Sequence, residues 1–254
     1  MHKAIALDLD GTLLSSAGTV SPASLEVLPQ LEALGWLVII ATARPVRSLR
    51  TILPAWFERF YWAACNGAWV VKSGEVLRRV EIQHEEARAL ADALIGADFR
   101  VSVEAQDTFY SDVVFPGGFI NECHPMARFV QGDACKVLVS AEGGGLDRAC
   151  RMVPASLGVT ITDGGTLAQI AHRDCCKAKA VEYTLAREGL TFADLVAFGD
   201  DTNDVPLLRA AGCGVAMGNA VPEALAVADV ITETNDADGV GVCLRRLAQG
   251  ESLS

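Results

Sequence analysis

Two carboxylates, Asp8 and Asp10, stand one residue apart where the apolar run Ile5-Ala6-Leu7 gives way to Gly11. Like charges about 4 Å apart repel by roughly 4 kcal/mol at an effective dielectric of 20. A chain keeps such a pair when a cation neutralises it, a proton is shared or water screens it. For an isolated Asp-x-Asp, a strand ending in solvated acids is the plainer reading. Residues far downstream outweigh it. Thr42 closes the run Leu37-Val38-Ile39-Ile40-Ala41, and Gly199-Asp200-Asp201-Thr202-Asn203-Asp204 follows Leu195-Val196-Ala197-Phe198. Apolar runs bounded by turn signals read as buried strands of a parallel sheet. Their carboxyl ends share one edge, where open α/β sheets bind ligands. Asp8, Asp10, Asp200, Asp201 and Asp204 therefore converge, and five acids call for a divalent cation. An oxygen-only donor set completed by water points to magnesium.

The elements that position these groups can be read in order. Ser21-Pro22 caps and opens a helix whose apolar face is expected to be Leu25, Leu28, Leu31 and Leu34, with Gly35 ending it. The run ending at Thr42 completes a βαβ unit. Pro45 opens a short helix near Arg44, Arg47 and Arg50, and Tyr61 to Cys65 is a third strand leading into Asn66-Gly67. A hairpin with a Ser73-Gly74 turn follows. From there the strands are shorter and alternate in polarity: about 100–104, 108–112, 136–140, 159–162 and 167–171. Helices are expected at about 84–95, 119–130 and 146–153. That pattern predicts an antiparallel sheet with helices on one face. The parallel pattern resumes with a helix from Lys177 to Arg187. The expected architecture is α/β: a doubly wound parallel-sheet core of residues 1–81 and 175–254, with an α+β domain of residues 82–174 inserted into it.

Composition narrows the function. The 254 residues are 51% hydrophobic and carry a net charge of −11, so a sizeable core is available and neither nucleic acid nor an anionic membrane is an expected partner. No apolar run reaches membrane-spanning length and no leader pattern opens the chain. Eight cysteines include no C-x-x-C pair, which suits reduced thiols in a cytoplasmic protein better than a disulfide framework or a zinc site.

The order Asp8-Leu9-Asp10-Gly11-Thr12-Leu13, Thr42-Ala43-Arg44, Asn66-Gly67-Ala68, Lys177, Gly199-Asp200-Asp201-Thr202-Asn203-Asp204, Ala216-Met217-Gly218-Asn219-Ala220 and Asp238-Gly239-Val240 resembles the haloacid dehalogenase superfamily of phosphohydrolases. Within it the chain is similar to the Cof-type branch, subclass IIB, which carries its cap domain between the second and third motifs. The resemblance covers the whole length and implies a phosphatase acting on a small phosphorylated metabolite, a sugar phosphate first of all. Asp8 would be the nucleophile, forming an aspartyl-phosphate. Asp10 would be the general acid and then base, with its pKa raised by a nearby carboxylate. Magnesium would sit on Asp8, the Asp10 backbone carbonyl and Asp200. The Thr42 hydroxyl, the amides of Leu9 and Ala43, Asn203 and Lys177 would hold the phosphoryl oxygens. Asp204 would support Lys177 or a metal-bound water, and Asp201 has no implied role. Within the cap, Glu104, Tyr110, Asp112, His124 and Arg128 are candidate readers of the leaving group.

Two departures from the family pattern add a methyl beside the phosphate: Ala43 and Ala178 stand where glycine is usual. Two alternatives share the nucleophile. A phospho-accepting receiver module also gathers acids, a threonine and a lysine at a sheet edge, but has no use for an acid-base group such as Asp10. A phosphomutase would pass the phosphoryl group to a second sugar hydroxyl. As a phosphatase, the protein is expected to be a monomer or homodimer.

Overall fold

The computed structural model describes residues 3–113, 123–141 and 145–253. The chain divides into two compact units. One comprises Met1–Arg44, Leu49–Arg78 and Cys176–Ser254, and the other Pro45–Ser48 and Arg79–Cys175. The four residues Pro45–Ser48 group with the second unit although they lie between two strands of the first.

The first unit begins with β1 (Ala4–Leu7), α1 (Pro22–Ala33), β2 (Leu37–Ala41), α2 (Val46–Ile52), β3 (Tyr61–Ala64), β4 (Trp69–Lys72) and β5 (Glu75–Arg79). The second unit carries α3 (His84–Gly96), β6 (Arg100–Ala105), β7 (Thr108–Ser111), β8 (Cys123–His124), β9 (Ala134–Ser140), α4 (Leu146–Cys150), β10 (Leu157–Thr162) and β11 (Leu167–His172). The first unit then resumes with α5 (Lys177–Arg187), β12 (Leu195–Gly199), α6 (Val205–Ala210), β13 (Cys213–Ala216), α7 (Pro222–Leu225), β14 (Val230–Ile231) and α8 (Gly239–Ala248).

The sheet of the first unit has the order β14-β13-β12-β1-β2-β3-β4-β5. The strands from β14 to β3 run parallel, and β4 turns back antiparallel on β3. Each residue of β1 is fully buried, as a central strand covered on both faces must be. Ser73 and Gly74 both have positive φ, the backbone required by the two-residue turn read there.

Helix α1 starts as expected, with the Ser21 hydroxyl accepting from the Ser24 amide at 3.0 Å. Its buried face differs from the expectation. Ser24, Val27, Leu28 and Leu31 are buried, whereas Leu34 is 62% exposed. Leucines every third residue slip backward by about 60° per step on a helix that turns about 100° per residue. By Leu34 the stripe faces the opposite side from Leu25. The observed set follows the i, i+3, i+4, i+7 pattern that holds one face.

In the second unit the sheet order is β10-β11-β9-β6-β7-β8. It is antiparallel except for the parallel pair β7–β8. Ala87, Leu90, Ala91 and Leu94 of α3 pack with Val101, Val103, Val137, Val139 and Ile170 into one apolar core. The described part of the helix expected at 119–130 is instead the short strand β8 and a single 3-10 turn at Met126–Arg128; residues 119–122 lie outside the described residues. Pro125 denies a helix the amide it would need there. Glu104 is buried and forms an ion pair with Arg47, whose own amide donates to Asp107 at 2.9 Å. Asp112 accepts from the Met126 amide at 2.9 Å. Tyr110 packs between Phe129 and His124, and Arg128 is exposed. Glu104 and Asp112, two of the five candidate readers, are thus engaged in polar contacts within the unit. Among the described residues no helix is long and apolar enough to cross a membrane.

Candidate active site

The registers explain how residues nearly two hundred positions apart meet. Leu7 is level with Phe198 on one side and with Ile40 on the other. The strands therefore end together, and Asp8, Thr42 and Asp200 follow those ends. The Asp8 amide donates to the Phe198 carbonyl at 3.2 Å, and the Thr42 amide to the Ala63 carbonyl at 2.9 Å.

At the centre is a buried charge triad. The Lys177 ammonium donates to Asp8 Oδ1 and to Asp204 Oδ1, each at 2.6 Å. Lys177 is 1% exposed and Asp204 fully buried. Lys177 reaches this point because α5 begins on it, after Cys176 caps the helix by accepting from the Lys179 amide at 3.4 Å. Asp204 is fixed by its second oxygen, which accepts from the Asp200 and Asp201 amides at 3.1 and 3.2 Å. Gly199 allows this: a Cβ there would lie on the Asp204 side chain.

Burial disfavours charge on Lys177, but Asp204 and Asp8 outweigh it and hold the ammonium above its usual range. Burial pushes the Asp8 carboxyl well above its usual range, Asp204 adds to the push and Lys177 opposes it. Burial likewise raises Asp200 to about 6, aided by Asp204 and Asp201 and opposed by the Thr12 hydroxyl, which donates to its Oδ1 at 2.7 Å. These carboxyls are short of positive charge: Asp8, Asp200 and Asp204 share one ammonium.

That deficit is the test for a metal. Carboxylate oxygens of Asp8, Asp200 and Asp204 lie within 4.8 Å of one another. Asp204 has both oxygens engaged. Asp8 spends one on Lys177 and Asp200 one on Thr12, so each brings a second oxygen. Hard oxygen donors around a charge deficit fit a small divalent cation such as magnesium. Asp8 and Asp200 are the side chains able to hold it, and Gly11, with φ of +75° and no room for a Cβ against the Asp200 carboxylate, lets the loop close over them.

The five acids do not all gather. Asp10 meets a guanidinium: Arg44 Nε donates to its Oδ2 at 2.7 Å and Nη2 to its Oδ1 at 2.5 Å. Its contacting side chain is thus a cation, where a carboxylate neighbour was expected. Asp201 accepts from the Thr202 amide at 2.7 Å and shapes the turn. Among the groups expected around the phosphoryl oxygens, Thr42 is buried and its hydroxyl accepts from the Arg44 amide at 3.1 Å. Asn203 donates to Asn66 Oδ1 at 2.9 Å, and its own Oδ1 is buried with no partner among the described residues. Leu9 packs its side chain into the core, and Ala43 follows Thr42 at the same edge. Thr12, Arg44 and Asn66 were not among the expected site residues. Each belongs to a motif quoted above, and that was the available signal.

A doubly wound α/β sheet carries a buried Asp–Lys–Asp triad at its carboxyl edge. The chain belongs to the haloacid dehalogenase-like hydrolases, whose family model matches residues 5–244. It is 25% identical to the 5-amino-6-(5-phospho-D-ribitylamino)uracil phosphatase YcsE of Bacillus subtilis, covering 96% of this chain and 94% of that one. It is also 25% identical to a phosphoglycolate phosphatase of Methanoculleus marisnigri, over 94% of each. Among solved structures it is similar to BT1666 from Bacteroides thetaiotaomicron, described among phosphatases of this superfamily. There the TM-score is 0.82 and the identity 27%, with 97% of this chain and 95% of that one covered.

Proposed function

We propose that the protein is a magnesium-dependent phosphatase that hydrolyses a small phosphorylated metabolite, a sugar or sugar-alcohol phosphate, through an aspartyl-phosphate. The observation carrying this reading is Asp8, buried at the end of β1 with one oxygen fixed on Lys177. A carboxylate so held is fixed in place at the sheet edge, as a nucleophile must be. The relatives named as phosphatases support the reaction class, and the phosphorylated ribityl chain in one of their names supports the substrate class.

Asp8 attacks phosphorus, the bond to the leaving oxygen breaks, and Asp10 gives that oxygen its proton. Water then attacks the aspartyl-phosphate and gives a proton to Asp10, and phosphate departs as the Asp8 carboxylate reforms. Arg44 orients Asp10, while Asp204 holds Lys177 against Asp8. Thr42, the amides of Leu9 and Ala43, Asn203 and Lys177 bind the phosphoryl oxygens. Asp8, Asp200 and the Asp10 carbonyl would hold magnesium, which would neutralise phosphoryl charge.

With p-nitrophenyl phosphate and magnesium, Asp8→Asn is expected to lower turnover by about a thousandfold or more and to remove any hydroxylamine-sensitive phosphoenzyme. Retained turnover in that variant refutes the assignment. Phosphate release from a panel of sugar and polyol phosphates then ranks the substrates.

A further inference from the structure

Two stretches singled out in the sequence, around Asn219 and Asp238, find no place in the mechanism above, yet both fasten the loop that carries Asp10. Asp10 lies beyond the end of β1, pairs with Leu14 through an isolated bridge and is followed by Gly11 in a left-handed conformation, in a turn that the Thr12 and Leu14 amides close on the Leu9 carbonyl. The Asn219 side chain donates through Nδ2 to the Gly11 carbonyl at 2.8 Å, and its Oδ1 accepts from the Asn235 amide at 2.9 Å. Asn235 in turn donates through Nδ2 to the Leu14 carbonyl at 2.9 Å. The carbonyls of Gly11 and Leu14 bracket the turn immediately after Asp10.

The chemistry demands an amide at 219. Its position requires a donor on one side and an acceptor on the other, which aspartate cannot supply and leucine lacks entirely. The backbone beside it is also held in place. Gly218 donates to the Glu233 carbonyl at 3.1 Å, and a Cβ on it would press to 3.0 Å on the Thr232 carbonyl. Further along the loop, other side chains do the anchoring. Asp236 accepts from the Ser16 amide and hydroxyl at 2.8 and 2.6 Å, and Asp238 accepts from the Ser21 hydroxyl at 2.6 Å. Segment 11–21 therefore keeps its attachment to the 235–238 turn without Asn219. What Asn219 and Asn235 add is a hold on the Gly11 and Leu14 carbonyls, which flank the turn after Asp10.

We propose that Asn219 and Asn235 are positioning residues for proton transfer by Asp10, setting its backbone while Arg44 sets its side chain. The inference rests on the phosphatase reading above. It makes a prediction that a merely structural role does not. A p-nitrophenolate leaves without a proton, whereas an alkoxide needs one as its bond to phosphorus breaks. Loss of Asp10 positioning therefore penalises alkyl phosphates selectively in kcat/KM, which reports the steps through phosphoenzyme formation.

The experiment compares wild type, Asn219→Ala, Asn219→Asp and Asn235→Ala on p-nitrophenyl phosphate and glycerol 2-phosphate with magnesium, beside thermal unfolding of each. Asn219→Ala and Asn235→Ala are expected to lose about tenfold or more extra kcat/KM on glycerol 2-phosphate relative to p-nitrophenyl phosphate, with unfolding midpoints close to wild type. Asn219→Asp keeps the acceptor for Asn235 but loses the donor to Gly11, and is expected to behave as the alanine variant does. Equal losses on both substrates, or no loss, overturn the positioning role while leaving the phosphatase reading intact. Wild-type protein inert on both substrates, and indistinguishable from Asp8→Asn, overturns the underlying reading and this inference with it.

Discussion

Replacing Lys177 by methionine removes the ammonium that two buried carboxylates share while keeping an unbranched side chain of similar length. Both contacts are 2.6 Å, and Lys177 and Asp204 are screened from solvent. Breaking a buried ion pair by deleting one partner costs about 3–5 kcal/mol, because the survivor is left uncompensated. For a domain of this size that is a fall in Tm of about 6–20 °C. The loss has a signature in pH. Lys177 is one of the groups opposing the upward shift of Asp8, so its removal drives that carboxyl further up and the folded variant holds the proton to higher pH than wild type does. A folded state that binds more protons than the unfolded one loses stability as pH rises, by about 1.4 kcal/mol per unit per proton above the unfolded carboxyl pKa. As pH falls below 7.5 the variant should therefore recover part of its deficit relative to wild type. All four tryptophans, Trp36, Trp56, Trp62 and Trp69, lie in the first unit, so urea unfolding followed by their fluorescence in EDTA reports on the unit that contains the triad. A deficit under about 1 kcal/mol at pH 7.5, or one independent of pH, would refute the picture of two carboxylates depending on one ammonium.

Two other substitutions test neighbouring parts of the argument. Asp200 is raised from 3.8 to about 6, chiefly by burial, so the folded, metal-free protein holds its proton through a window in which the unfolded chain has lost it, and stability falls as pH climbs from about 4 to 6. Asp200→Asn keeps an acceptor for Thr12 but does not ionise. In EDTA at pH 7.5 it should unfold about 1–3 kcal/mol later than wild type, lose that advantage at pH 4.5, and gain nothing from added magnesium; an earlier midpoint at pH 7.5 would contradict this. Gly67 has φ of +91°, and a Cβ there would press against the Cys176 carbonyl and the Ala180 side chain at the start of α5. Gly67→Ala should cost about 1–3 kcal/mol through strain and overpacking and lower p-nitrophenyl phosphate turnover by displacing the helix that begins at Lys177, measured as urea midpoint and initial rate.

The parallel half of the fold was legible because buried strands are nearly continuous apolar runs and the residues after them are abruptly polar. Leu195–Phe198 followed by Gly199-Asp200 leaves little other reading. Helix faces were harder. The four leucines of α1 look like one stripe, yet Val27 and Ser24 are buried where Leu34 is not, since burial follows the 3.6-residue turn and not residue type alone. In the second unit the strands are short and two-sided, so pattern shows their existence but not the parallel pairing of β8 with β7. That pairing brings together strands separated by residues 112–122, and register across such a gap is a tertiary property.

What the sequence concealed about the site was the partition of charge. Five acids could be assigned to one sheet edge by strand order alone, but strand order does not say which cation each acid meets. Lys177 enters from a helix start, and only the folded backbone brings it between Asp8 and Asp204. Arg44 follows Thr42 by two residues, and the reversal of the chain there turns its fork onto Asp10. The division has a chemical consequence. A nucleophile and an acid-base group must address different atoms, phosphorus and the leaving oxygen, so each needs its own hold. Asp10 has its own guanidinium at a half-exposed position, and Asp8 a buried ammonium braced by Asp204, so the two carboxylates are oriented independently although a single leucine lies between them.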